Sequence, residues 1–153
     1  MSGTSHLERL RTTGRDLVSL VSGADAADLR REPAPGEWSA AMVVAHLADA
    51  ELVWSVRLRM IVADDRPTLT PFDENAWAER FGDVDKDVRD TLQRWRALRD
   101  SNIRLLDSLV DDEWERTGSH PQRGVLSVTA LVKSQAEHDR THLDQIRAAL
   151  SST

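Results

Sequence analysis

Residues 127–150 read SVTALVKSQAEHDRTHLDQIRAAL, a run without glycine or proline that decides the fold. Apolar residues recur in it every three or four positions, as on one face of an α-helix. The same side of this helix carries the following residues: Val128, Leu131, Gln135, His138, His142, Ile146 and Ala149. The pattern predicts a long amphipathic helix whose apolar stripe is interrupted by polar side chains.

Three further stretches show the same periodicity, and glycine and proline cluster mainly in the segments between the long stretches. They cover about residues 5–22, 39–64 and 85–110. Ser5 and Glu8 form a possible capping box, Ser39 is a suitable N-cap, and Asn102 interrupts the apolar stripe of the third stretch. Short helical turns are expected at 74–80 and 111–115, and no convincing strand is identified. Four amphipathic helices predict an all-α four-helix bundle.

Length and composition limit the possible functions. A chain of 153 residues fits one domain, here residues 1–153, and the absence of cysteine excludes disulfides, zinc thiolates and a thiol nucleophile from the protein itself. The net charge of −6 argues against broad binding to nucleic acid. No apolar run is long enough to cross a membrane and no signal peptide is evident, so we expect a cytoplasmic protein without a membrane partner.

Histidines on the apolar stripe are the strongest sign of chemistry. His138 and His142 stand four residues apart, so both rings lie on one helix face and can reach the same ion. His46, at the edge of the apolar stripe of the second helix, is the candidate third ligand, although a buried histidine with a protein partner explains it equally well. Three imidazoles from two helices would leave a coordination position open for water or substrate.

Other polar and aromatic residues give weaker signals. The candidate pocket residues are Asp49, Gln135, Trp38 and Trp77. For Asp49, Glu51, Glu137 and Asp139 a solvated helix charge is the favoured interpretation. Arg123 and Arg140 are candidates for binding a carboxylate, although surface arginines are more common. His6 and His120 are expected at the surface, since one lies in a charged segment and the other in a loop.

The sequence resembles the DinB-like superfamily. The resemblance is carried by 35–39 (PGEWS), 43–51 (VVAHLADAE), 111–114 (DDEW) and 136–146 (AEHDRTHLDQI). It implies a four-helix bundle with up-down-down-up connectivity and a homodimer. It also implies one divalent metal ion on His46, His138 and His142, with zinc or nickel favoured over manganese, iron or copper.

The resemblance implies an enzyme that acts on a small-molecule substrate. Similar proteins include S-transferases and isomerases that use mycothiol, bacillithiol or glutathione, and the arginine-rich composition favours mycothiol. Because the chain lacks cysteine, any sulfur nucleophile must come from such a cosubstrate. The alternatives are a hydrolase that uses a metal-activated water and a non-catalytic module that binds a metal or ligand in a stress response. A metal-free bundle is the weakest alternative.

Overall fold

Six α-helices and one β-hairpin make up the computed structural model, which describes residues 3–82, 84 and 87–152. The helices are α1 (Gly3–Ser22), α2 (Ala26–Arg30), α3 (Ala40–Ala63), α4 (Glu74–Phe81), α5 (Val88–Asp107) and α6 (Val128–Ser151). The strands are β1 (Thr117–His120) and β2 (Gly124–Ser127), preceded by a 3-10 turn at Asp111–Glu115. None of the described helices is both long and apolar enough to cross a membrane.

The four long helices α1, α3, α5 and α6 pack as a bundle, which confirms the predicted fold class. Their ends agree with the prediction to within three residues, apart from the start of the third helix, predicted at Asp85, which lies outside the described residues. Ser39 caps α3 as expected, because its hydroxyl accepts a hydrogen bond from the Met42 amide. Ser5 lies inside α1 rather than capping it, since that helix already begins at Gly3.

Side-chain contacts fix the direction of each helix. Between α1 and α6 the contacts advance together along both helices, from Thr13–Asp139 to Asp16–Arg147, so these helices are parallel. Between α3 and α6 they run in opposite directions, with His46 against His142 and Glu51 against Gln135. These two helices are therefore antiparallel.

The α3–α5 pair completes the connectivity. Asp49 contacts Arg94, and Arg59, further along α3, contacts Ser101, further along α5. Helices α3 and α5 are therefore parallel, which gives the up-down-down-up order. Parallel neighbours need a long crossover, and residues 64–87 supply it, with α4 in its middle.

The β-hairpin corrects the expectation that the chain has no strand. Thr117 pairs with Ser127 and His120 with Gly124 in a four-residue antiparallel ladder. Ser119 also pairs with Thr68 of the crossover, so the hairpin fastens the crossover to the bundle. Glycine is required at position 118, because a Cβ there would lie 2.8 Å from the Leu69 side chain.

The interior contains two apolar cores stacked along the bundle. The first includes Val43, Leu47, Trp95 and Ile146. The second is formed mainly by these residues: Leu7, Leu10, Trp54, Leu58, Ile61, Leu106, Leu131 and Val132. In all four long helices, polar residues stand between the residues of the two cores.

Candidate metal centre

Three histidines converge where α3 faces α6. The Nε2 atom of His46 lies 3.1 Å from the Nε2 atoms of both His138 and His142. One ring nitrogen from each histidine falls within 4.8 Å of the others. The structure thus brings together the three residues that the sequence predicts for one site.

The ring nitrogens that face one another are available as electron-pair donors. The Nδ1 atom of His142 lies 2.8 Å from Oε1 of Gln145, so this nitrogen carries the proton and Nε2 keeps its lone pair. The His46 Nε2 atom faces two other nitrogens, and a single proton on it can serve only one of those contacts. The Nδ1 atom of His138 is buried and has no hydrogen-bond partner among the described residues, so no protein group fixes the proton of that ring.

Burial keeps two of these rings, those of His46 and His138, neutral. It lowers the pKa of His46 to about 4, and the nearby His142 acts in the same direction. Burial also lowers the pKa of His138 to about 3, with further lowering by His142, His46 and Arg99. Neutral imidazoles that point their nitrogens at one spot fit a divalent transition-metal ion such as zinc, nickel, copper or iron.

A carboxylate that the sequence did not indicate also faces the centre. Glu74 is the first residue of α4, and its carboxylate oxygens lie 3.9 Å from the His46 Nε2 atom and 3.8 Å from the His138 Nε2 atom. It is 28 positions from the nearest of the three histidines and follows only an ordinary N-cap, Asp73. No local pattern marks it, because the crossover alone carries it to the site.

A cleft of about 530 Å³ opens onto the histidines. Its lining includes Trp38, His46, Glu74, His142, Gln145 and Ser152. The Trp38 ring packs 5.5 Å from the His46 ring, so this predicted pocket residue forms part of the wall. Trp77 instead packs edge-on against Phe72 and Phe81.

The two remaining pocket candidates lie in other surroundings. Asp49 accepts a hydrogen bond of 3.0 Å from Arg94 on α5. Gln135 donates to Glu51 at 3.2 Å in the middle of the bundle. Both side chains therefore have partners on neighbouring helices.

His6 and His120 are buried, which corrects the expectation that they are surface residues. They are 3% and 5% exposed, respectively. The His120 Nδ1 atom accepts a hydrogen bond from the Gln122 amide within its own turn, which explains how a loop histidine can be buried. The His6 Nδ1 atom has no hydrogen-bond partner among the described residues.

A buried ionic cluster occupies the level between the two apolar cores. It consists of Arg99 with Glu51, Asp139, Asn102 and Gln135. Arg99 is 2% exposed and donates from Nε and Nη2 to the two Glu51 oxygens at 2.9 and 2.8 Å. The same Nη2 atom lies 2.8 Å from Asp139 Oδ2. Asn102 adds a hydrogen bond of 2.8 Å to Glu51.

This cluster corrects the interpretation of Glu51 and Asp139 as solvated helix charges. Burial raises the pKa of Asp139 to about 6, against the opposing effect of the Arg99 charge. Arg99 also lies over the rings of Trp95 and Trp54, with its guanidinium carbon 4.6 and 5.9 Å from their centroids. The charged groups of the cluster therefore have their main partners within the protein.

The fold and the site together define a class of helical proteins. Its members are up-down-down-up bundles in which imidazoles from two helices form a cluster of the kind that binds a metal ion. The chain belongs to the DinB superfamily, whose family model matches residues 9–146. It is similar to an Oceanobacillus iheyensis protein named "Putative metal-dependent hydrolase", with 32% identity over 72% of this chain and 64% of that relative. A second Oceanobacillus iheyensis protein of the same kind of name is 26% identical over 95% of this chain and 84% of its own length.

Two solved structures share the fold. One is YfiT from Bacillus subtilis, described as "a probable metal-dependent hydrolase with an unusual four-helix bundle topology". It covers 97% of this chain and 87% of its own, with a TM-score of 0.86 and 22% identity. The other is TT2238, a four-helix bundle protein, with a TM-score of 0.67, 24% identity and coverage of 96% and 99%.

Proposed function

We propose that this protein is a metal-dependent hydrolase in which His46, His138 and His142 hold one divalent ion. The observation that carries the proposal is the convergence of three Nε2 atoms, with those of His138 and His142 each 3.1 Å from that of His46, beside an open cleft. The names of the relatives support it. An ion bound there supplies a Lewis acid that makes water a nucleophile near neutral pH.

The residues around the histidines divide the remaining work. The Glu74 carboxylate, which faces two of the three histidines, accepts the proton of the attacking water and later returns it to the leaving group. Gln145 orients the His142 ring through Nδ1, which keeps Nε2 turned toward the centre. Trp38 forms an apolar wall beside His46 against which a small-molecule substrate packs.

Metal uptake tests the centre directly. Purified protein treated with chelator and then titrated with zinc, nickel or manganese binds about one ion per chain, measured by calorimetry and elemental analysis. His46→Ala and His138→Ala weaken binding by about 100-fold or more, because two ligands hold a divalent ion poorly. His6→Ala is the matched control, since it also removes a buried imidazole but leaves the centre intact. Wild-type protein that takes up no ion, or His138→Ala protein that binds as wild type, contradicts the proposal.

The second candidate function is a thiol S-transferase or isomerase that uses mycothiol or a related low-molecular-weight thiol. The position of Glu74 favours it too, because the same carboxylate can take a proton from a thiol. Metal-loaded protein is offered esters and amides without thiol, and electrophiles with mycothiol, bacillithiol or glutathione. Hydrolysis without thiol supports the first function, and thiol consumption supports the second. Glu74→Gln lowers either rate by about 100-fold or more while metal uptake persists.

A further inference from the structure

Arg57 of α3 is a half-buried arginine whose described contacts are a backbone carbonyl and an aromatic ring. Its Nε atom donates to the Thr70 carbonyl at 2.8 Å, and its guanidinium carbon lies 5.8 Å from the centre of the Phe72 ring. Burial and the nearby Arg123 lower its pKa, against the opposing effect of the Glu74 charge. Among the described residues no carboxylate forms an ion pair with it. The guanidinium is therefore half-buried and fixed in position, with its two terminal nitrogens left to donate.

Arg123 brings a second cation to the same place. It follows β1 in the hairpin turn and donates from Nη2 to the Ser134 hydroxyl at 3.0 Å. Ser134 lies on α6 one turn before His138, so Arg123 is anchored one helical turn away from a residue of the histidine centre. Arg123 has no carboxylate partner in the described part of the chain either.

His120 adds a third donor between the two arginines. Burial and the charges of Arg57 and Arg123 lower its pKa. Its Nδ1 atom accepts a hydrogen bond from the Gln122 amide, so the neutral ring carries its proton on Nε2. Two guanidinium groups and one imidazole are thus gathered at one side of the crossover.

A cavity of about 460 Å³ lies beside the residues that contact Arg57 and His120. It is lined by Pro71, Phe72, Asp73, Glu74 and Gln122. Phe72 supports Arg57, Gln122 precedes Arg123, and Glu74 reaches the histidines from the other side. The two carboxylates in the lining have other tasks, since Asp73 caps α4 and Glu74 faces the histidines. In the described part of the chain no salt bridge joins either carboxylate to an arginine, and the Glu74 charge acts on Arg57 only over a longer distance.

We propose that Arg57 and Arg123, with His120, form an anion-binding subsite beside the three-histidine centre. It takes a carboxylate or phosphate group of the substrate, with the reacting bond directed toward the histidines. This assignment rests on the proposed function for its role in substrate choice, but anion binding itself needs no metal. Arginine suits the role because its planar donors match both kinds of oxyanion.

Binding of inorganic phosphate and of succinate to metal-free protein tests the subsite, measured by calorimetry at low ionic strength. We expect wild-type protein to bind both probes, and Arg57→Gln and Arg123→Gln each to weaken binding by about tenfold, the loss of one charge-assisted contact. Arg140→Gln is the matched control, since this exposed arginine on α6 leaves binding unchanged. Arg57→Lys, which keeps the charge, falls between wild type and Arg57→Gln.

Two results overturn the subsite. One is the absence of phosphate and succinate binding to wild-type protein up to about 10 mM. The other is equal binding by wild type and Arg123→Gln, a change at an exposed residue that leaves the bundle folded. His138→Ala separates this failure from failure of the metal centre: a correct subsite still binds phosphate in that variant. If the wild-type protein binds phosphate but no metal, the proposed function is wrong and the anion-binding subsite is supported.

Discussion

The buried ionic cluster and the three-histidine centre are both built from polar side chains of α3 and α6 inside the bundle. Glu51 of the cluster stands five residues after His46, and Asp139 directly follows His138. The cluster receives an opposite charge from α5, because Arg99 contacts both carboxylates at 2.8 Å. In the centre three imidazoles face one another, and the one carboxylate that faces them, Glu74, lies 3.8 Å or more from their Nε2 atoms.

The difference shows how one bundle separates stability from function. Buried polar groups that have hydrogen-bond or ionic partners inside the protein stabilise the fold. Converging ring nitrogens of the same kind cannot all satisfy one another, so they favour the binding of an external ion. The cluster therefore belongs to the folded protein alone. The centre becomes complete only with a ligand that the chain does not supply.

The largest expected effect comes from breaking the cluster. Arg99→Met leaves Glu51 and Asp139 buried without their cation, which lowers the free energy of unfolding by about 3–5 kcal/mol. Urea unfolding followed by circular dichroism measures the change. Arg96→Met is the matched control, because Arg96 is exposed on the same helix and its loss changes stability by less than about 0.5 kcal/mol. Equal stability of the two variants would show that the cluster does not hold the bundle together.

The two regions respond to acid in opposite directions. The folded pKa values of His46 and His138, about 4 and 3, lie below the ordinary histidine value of 6.5, so the unfolded chain gains these protons first as pH falls from 6.5. The folded pKa of Asp139, about 6, lies above the ordinary aspartate value of 3.8, so the folded protein gains that proton first. His6 and His120, also lowered by burial, act in the same direction as the other histidines.

Between pH 6 and 4, four histidines favour proton uptake by the unfolded chain and only one carboxyl group, Asp139, favours proton uptake by the folded protein. Metal-free protein should therefore lose stability as pH falls, by about 1.4 kcal/mol per pH unit for each excess proton taken up by the unfolded chain. Urea unfolding at a series of pH values measures this slope. His138→Gln reduces it and Asp139→Asn steepens it. A slope that is flat in wild type, or unchanged in both variants, contradicts the assignment of opposite signs.

The smallest expected effect on stability comes from replacing a histidine of the centre in metal-free protein. His142→Gln changes the free energy of unfolding of metal-free protein by less than about 1 kcal/mol, because this ring is partly exposed and has few partners inside the protein. The same urea titration measures it. Zinc at about 100 times its dissociation constant then stabilises wild type by about 2.7 kcal/mol and leaves the variant unchanged. A large loss of unfolding free energy in metal-free His142→Gln protein would show that His142 stabilises the fold, as the residues of the ionic cluster do.

Local sequence patterns were enough for the helices and for the candidate centre. Ser39 marks the start of α3 because capping depends only on neighbouring residues. His138 and His142 share a helix face by spacing alone. The place of His46 at the edge of an apolar stripe made it only a candidate, and the resemblance of residues 43–51 to the DinB-like superfamily made it the third ligand. Each of these inferences uses residues within one helix or one turn.

What the sequence did not reveal depends on contacts between distant segments. In the sequence, Arg99 is one of many charged residues on a helix with solvated faces, and Asn102 interrupts its apolar stripe. Only the packing of α3 against α5 shows that both side chains donate hydrogen bonds to Glu51. The hairpin escaped notice because four-residue strands are too short for a clear alternation. Glu74 reaches the centre through the crossover, whose path follows from the parallel packing of α3 and α5.

The parallel packing of α1 and α6 has a practical consequence for anyone who handles the protein. Ser152 lines the cleft, whereas the start of α1 lies near the start of α6, a helix length of about 36 Å away. A polyhistidine tag joined beyond Ser152 begins beside the three imidazoles and competes with them for the ion. A tag placed before α1 begins at the opposite end of the bundle. Measurements of metal content should therefore use the amino-terminal tag.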